Sequence, residues 1–269
     1  MNTLHNHVII YDKDCPLCNL YTGAFIKTNM LDKNGRQNFC DFNPSVYPNM
    51  DVARSRDEIA LVNTQTGHIS YGIESLFKII GHSFPICKVF FNAWLFRLAV
   101  SKLYSFVSYN RKVIAPASEF EKTGSCTPSF NLTYRWAYIV ISWVFTSIVL
   151  TRFAVRLDDL IQPTNFFREW LICAGQIVFQ SIVVSLINKK RLMHYLGNMM
   201  TVSNIGALLL LPLLLFQVHP VVYVLWFIPV VIIMLLEHNR RIGILQLSIW
   251  ASISWVLYRL LVLAFILWI

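Results

Sequence analysis

Cys15 and Cys18, in Cys15-Pro16-Leu17-Cys18, are the side chains whose type and spacing point most directly to chemistry. A thiolate is a nucleophile, and a second thiol one helical turn on can attack a mixed disulfide and release the partner. Cys15 is therefore the candidate nucleophile and Cys18 the resolving thiol. Tyr11, Asp12 and Asp14 stand just before them. Nearby carboxylates raise a thiol pKa, but they can equally hold a water or take a proton during exchange, and Lys13 offsets part of their charge. A CxxC pair is also half of a zinc site, for which a second pair at matching spacing is needed. Cys40, Cys87 and Cys126 are single, and His68 and His82 form no motif with them. The redox reading calls for neither metal nor cofactor. Cys40 and Cys173 read as small apolar fillers, and Cys126 is ambiguous.

The elements that must position the pair can be read locally. His7 to Asp12 (HVIIYD) is β-branched and reads as a buried strand. Pro16 suits the first turn of a helix, where its missing N–H costs nothing, and Leu20, Ala24 and Phe25 continue at helical spacing. Cys15 thus falls at a strand-to-helix junction, where the free N–H groups and the helix dipole favour a thiolate. Asn38 to Phe42 reads as a second strand, followed by a loop with Pro44 and Pro48. Glu58 to Asn63 and His68 to Tyr71 form a hairpin across Thr64-Gln65-Thr66-Gly67, and Gly72 to Ile80 is a helix with Glu74 in its first turn. The order βαβ then ββα is the plan of a minimal thioredoxin-like fold.

On these residues a resemblance becomes specific. VIIYDKDCPLC resembles the signature of the DCC family of thiol-disulfide oxidoreductase-like proteins, a strand ending in Tyr-Asp-Gly-x-Cys-Pro-x-Cys. The likeness continues through the hairpin and SYGIESLFKII to LYSFVSYNRKVIA, similar to the family's Tyr-x-x-x-Ala-x-Asn-Arg close. It spans residues 5–116 and does not reach the remainder of the chain. Tyr11, Asp12, Asp14, Cys15, Pro16, Cys18, Gly72, Tyr104, Asn110 and Arg111 fall on the family's motif positions. The resemblance implies a thioredoxin-like domain with a redox-active Cys15/Cys18 pair supported by Tyr11, Asp12, Asp14 and Pro16. Two departures stand out: Lys13 replaces the usual glycine, and no proline precedes EIALV, where a thioredoxin places its cis-proline.

Beyond residue 133 the composition changes. The 269-residue chain is 56% hydrophobic and 14% charged, against about 25% charged in a typical soluble domain, and its mean hydropathy is +0.53. Most Asp and Glu lie in residues 1–125, and the rest reads as apolar blocks separated by short polar loops. Runs of about 20 apolar residues are long enough to span a bilayer. They occur from Tyr134 to Thr151, Trp170 to Ile187, Val202 to Val218, Val221 to Leu236, and Ile244 to Ile269. The third and fourth are short and nearly contiguous, so the expectation is about five spans, with four as the alternative. The organisation is then a thioredoxin-like α/β domain over 1–116, a linker over 117–133, and an all-α transmembrane helix bundle over 134–269.

The net charge of +9 comes from Lys and Arg scattered at the ends of apolar runs, where topology accounts for them, so nucleic acid is not an expected partner. With five spans, three basic clusters share one side with the N-terminal domain. They are Arg111, Lys112, Lys122 and Arg135; Lys189, Lys190 and Arg191; and Arg240 with Arg241, while the opposite side carries Arg152, Arg156 and Arg168, partly balanced by Asp158, Asp159 and Glu169. The opening MNTLHNHVIIYDKD lacks a basic segment followed by a long apolar stretch, so neither a signal nor a transit peptide is expected. Together these lead to the expectation of a bacterial inner-membrane protein with its N-terminal domain in the cytoplasm. In that reducing compartment the six cysteines are not expected to form a disulfide framework.

Inside the spans Arg259 is the one ionisable candidate; it can snorkel, pair, or bind a lipid headgroup. Between domain and bundle, Trp94 to Tyr109 is amphipathic. Arg97, Ser101, Ser105 and Ser108 share one face, and Ala99, Leu103, Phe106 and Val107 the other. The apolar face is expected to pack on the domain rather than lie in the membrane interface. The leading expectation is a membrane-anchored thiol-disulfide oxidoreductase whose partners are the lipid bilayer and a thiol or disulfide protein or small thiol. The alternatives are a non-catalytic membrane scaffold or sensor, and a transporter or lipid-handling bundle regulated by the domain's redox state.

Overall fold

A computed structural model describes residues 2–43, 46–116, 129–160 and 166–268. Pro44, Lys122, Cys126 and most of the expected linker lie outside these residues. The chain divides into two compact units, Met1–Tyr134 and Arg135–Ile269.

The first unit is built on a four-stranded mixed sheet of order β2-β1-β3-β4. Its strands are β1 (His7–Tyr11), β2 (Arg36–Asn38), β3 (Ala60–Asn63) and β4 (Ile69–Tyr71). β1 runs parallel to β2 and antiparallel to β3, which is antiparallel to β4. A parallel β1–β2 pair needs a crossover, supplied by α1 (Pro16–Lys27). β1 and β3 read as continuous apolar runs because both of their faces are covered. Ile9 and Leu61 pack with Phe25 of α1 and with Ile79, whereas Ile10, Ala60 and Val62 pack with Phe42 and Met50 on the opposite face.

The second strand is shorter than expected and displaced: Phe39–Asp41 is a single 3-10 turn. Three further helices complete the unit after α2 (Val52–Asp57): α3 (Ile73–Ser83), α4 (Cys87–Asn92) and α5 (Trp94–Ile114). α3 begins at Gly72, whose backbone takes φ 57° and ψ −132°, a region reached essentially by glycine alone.

α5 departs from the expected arrangement, in which its apolar face packs on the domain. Its buried residues are Ser108, Asn110, Arg111 and Val113, while Leu103 is 60% exposed and Val107 36%. Of the expected polar face, Arg97 and Ser101 are exposed and only Ser108 is buried, its Oγ donating to Asp57 O; the neighbouring Tyr104 hydroxyl accepts from Ile59 N at 3.2 Å.

The second unit carries α6 (Leu132–Ala154, its first turn in the preceding unit), α7 (Phe166–Asn188), α8 (Leu192–Leu214), α9 (Pro220–Ile244) and α10 (Trp250–Trp268). Among the described residues, four helical segments are long and apolar enough to cross a membrane: Leu132–Leu157, Phe167–Leu214, Pro220–Ile244 and Trp250–Trp268. The second, of 48 residues, is not one rod. Tyr195 of α8 donates to Gln180 Oε1 of α7 at 2.7 Å, although fifteen residues of straight helix would separate them by about 22 Å. The chain therefore folds back at the 3-10 turn Lys189–Arg191.

Candidate functional site

β1 ends at Tyr11, and the turn that follows delivers both cysteines. Asp12 Oδ1 accepts from Asp14 N at 3.0 Å, and Asp12 O accepts from Cys15 N at 3.2 Å. Lys13 sits in this turn without a positive φ, so the position does not require the glycine of the resembled pattern. Cys15 is the N-cap of α1, its Sγ accepting from Cys18 N at 3.4 Å, and Pro16 opens the first turn. A side-chain acceptor at this position satisfies one of the otherwise unpaired N–H groups of the helix start. Both thiols are free and buried, each 5% exposed.

The environment separates the two sulfurs. Hydrogen bonding from the Cys18 thiol is the largest influence on Cys15; against the opposing effect of burial, and with the Cys18 N–H and the Arg111 guanidinium assisting, it brings Cys15 down to about 7. Cys18 moves the other way, pushed up by its hydrogen bond to Cys15, then by burial and by the charge of Cys15. The Tyr21 hydroxyl lies 3.6 Å from Cys18 Sγ as a donor. Cys15 is thus the more readily ionised of the two thiols, and Cys18 the one held protonated.

Arg111 of α5 is the cation of the site. It lies 3.6 Å from Asp12 Oδ2 with both side chains buried. Its guanidinium also donates to Asp57 O and Arg56 O, each at 3.0 Å. These are last-turn carbonyls of α2, which have no partner within their own helix. Burial pushes the Asp12 carboxyl up, opposed by Arg111 and by the Asp14 N–H. The charge that balances the aspartate is therefore Arg111 rather than Lys13, which is exposed. Among the expected supporting residues, Tyr11 faces elsewhere: its ring carries the Arg36 guanidinium at 4.2 Å. Asp14 is half-buried and contributes through its backbone N–H.

Next to the pair is a cavity of about 320 Å³ lined by α1, α3 and α5, with Cys18, Tyr104 and Arg111 among mainly apolar side chains. Its size is within the range of small-molecule sites. Among the described residues, no group of three or more His, Cys, Asp or Glu gathers as a metal site. Sequence reasoning counted Arg111 among the cations flanking the first span and as a resembled motif position. Its role at the sulfurs has no local signature, because its partners are about a hundred residues away in the chain.

The second unit holds more interior polarity than its apolar runs suggested. α8 and α9 extend beyond the expected spans to include Tyr195, Asn198, Glu237, His238 and Arg241. His238 lies between the Tyr195 hydroxyl and Ser252 Oγ, each at 3.3 Å, and stacks on Trp255. Arg259 places its guanidinium 3.9 Å from the centre of the Trp255 ring, and Arg241 donates to Asn198 Oδ1 at 2.8 Å. Arg259 is accordingly one member of a polar interior, not its single ionisable group.

Comparison with protein-family models, with curated proteins and with solved structures finds no match for this chain.

Proposed function

We propose that the protein is a membrane-anchored thiol-disulfide oxidoreductase acting through Cys15 and Cys18. The carrying observation is the asymmetry of the pair: Cys15 caps α1 with its pKa lowered to about 7, while Cys18 is held protonated behind it. The Cys15 thiolate attacks one sulfur of a substrate disulfide, forming a mixed disulfide and expelling the other substrate sulfur as a thiolate. Cys18 then loses its proton and attacks Cys15 Sγ; the Cys15–Cys18 disulfide forms and the second substrate thiolate leaves. The substrate gains two electrons and the pair loses two, to be restored by an external dithiol. Asp12, buried and raised, is suited to accept the Cys18 proton.

The strand order β2-β1-β3-β4 with β3 antiparallel to its neighbours supports a thioredoxin-like reading of the first unit. The placement of Asp12, Cys15, Cys18, Gly72, Tyr104 and Arg111 around one site supports the DCC resemblance. The apolar helices anchor the chain in a bilayer, and the exposed Lys189, Lys190 and Arg240 support a bacterial inner-membrane protein whose first unit is cytoplasmic.

Replacing Cys18 tests the reaction. Cys18→Ser should accumulate a mixed disulfide through Cys15 under mild oxidation, and the Cys15→Ser, Cys18→Ser double variant should accumulate none. Absence of any Cys15 adduct in the single variant would remove the exchange mechanism. The burial of both thiols favours a second reading, a non-catalytic scaffold or sensor. That reading requires cellular function to survive Cys15→Ser.

A further inference from the structure

The surface formed by α4 and the first half of α5 is unlike the rest of the first unit. Ile86, Val89, Phe90, Trp94, Leu95, Leu98 and Leu103 are all exposed, Trp94 at 71% and Ile86 at 76%. So dense an apolar face on a water-facing domain marks an interaction surface. Residues 84–116 contain Lys88, Arg97, Lys102, Arg111 and Lys112 and no Asp or Glu. Arg111 is buried in the redox site, and Arg97 pairs with Glu74. Lys88 and Lys102 are exposed beside the apolar residues.

We infer that the α4–α5 face is a lipid-binding surface that seats the first unit in the headgroup region of an anionic leaflet. Three observations select lipid over other occupants. Exposed Trp, Phe and Leu interleaved with Lys is the composition of helices that lie in the membrane interface. The excess of cations with no acidic residue complements anionic headgroups. In a two-fold contact with a second copy, Lys88 and Lys102 would instead meet a face of their own sign. The same chain carries apolar helices able to cross a bilayer, so the lipid surface is present at high effective concentration. The second half of α5 is held to the domain through Ser108 and Tyr104, whereas Trp94 to Ala99 in its first half are exposed.

The test uses the full chain in vesicles of phosphatidylglycerol and phosphatidylcholine, with a photo-crosslinking residue introduced as Trp94→p-benzoylphenylalanine. A control chain carries the same residue at Leu20, which is exposed on α1. Lipid adducts are expected at position 94 and not at 20. Lys88→Glu with Lys102→Glu should lower the yield roughly fivefold per lysine in the anionic vesicles and leave it unchanged in phosphatidylcholine alone. Crosslinks from position 94 to residues 135–268 would overturn the inference in favour of packing against the second unit. Crosslinks to another copy would overturn it in favour of a dimer, and equal lipid labelling at both positions would remove the specificity claimed for this face.

Discussion

At the scale of single residues, the ionisation of Cys15 is set first by its hydrogen bonds from Cys18 working against burial, and then tuned by two buried charges. The Cys18 hydrogen bonds and Arg111 favour its thiolate, and Asp12 opposes it. Thiolate absorbance followed against pH should show Cys15 ionising with a midpoint near 7. Removing the cation in Arg111→Met should move that midpoint up, so that less thiolate is present at neutral pH and alkylation slows. Asp12→Asn removes a negative neighbour and should move it down. If neither variant shifts the midpoint, the buried ion pair does not tune the thiol. Arg111→Met also leaves Asp12 as an uncompensated buried charge, with an expected stability loss of about 3–5 kcal/mol. The double variant Asp12→Asn, Arg111→Met removes both charges and separates this structural effect from the electrostatic one.

At the scale of elements, the site depends on the join between β4 and α3 as much as on the cysteine turn. Gly72 holds φ 57° there, and a Cβ would lie 2.6 Å from Glu58 Oε2 and 3.2 Å from Tyr104 Cε1. Tyr104 in turn pins α5 to Ile59, the residue just before β3. Gly72→Ala should therefore cost about 1–3 kcal/mol through backbone strain alone. It should also lower the temperature at which Cys15 and Cys18 become open to a thiol reagent. An unchanged temperature would mean that the α3 start relaxes without disturbing α5. Ser108 of the polar face of α5 is buried while Leu103 of its apolar face is exposed, which shows why amphipathicity could not by itself orient this helix. The pattern separates two faces, but which one is buried depends on whether the domain offers hydrogen-bond partners to the polar face.

At the scale of the whole molecule, a small α/β unit with a thiol pair is joined to apolar helices. The proposed cytoplasmic placement predicts that protease added to inside-out membrane vesicles removes the first unit, whereas protease added to intact spheroplasts leaves it whole. The reverse pattern would place the thiol pair in an oxidising compartment and turn the expected direction of electron flow around. Several cations that sequence reasoning used for orientation are engaged within the protein. Arg111, Arg135 and Arg241 are buried, so among the described residues the exposed cations of those clusters are Lys189, Lys190 and Arg240, set against an exposed Arg152 at the other end of α6.

What the chain specifies locally was readable without a structure. The apolar runs, the β1–Cys15–α1 junction, the hairpin from Ala60 to Tyr71 and the helix after Gly72 rest on periodicity, turn chemistry and capping, which act over a few residues. The exceptions are local too. The expected second strand was placed a few residues late because Phe39 and Cys40 resemble strand residues but close a 3-10 turn with Asp41. The ends of α8 and α9 were missed because Tyr195, Asn198, His238 and Arg241 look like loop polarity until other helices supply their hydrogen bonds. Tertiary structure alone brought Arg111 to Asp12 and the two sulfurs, and only it decided which face of α5 looks outward. Both depend on contacts between residues far apart in the chain, where partner geometry and desolvation, not local spacing, determine the energy.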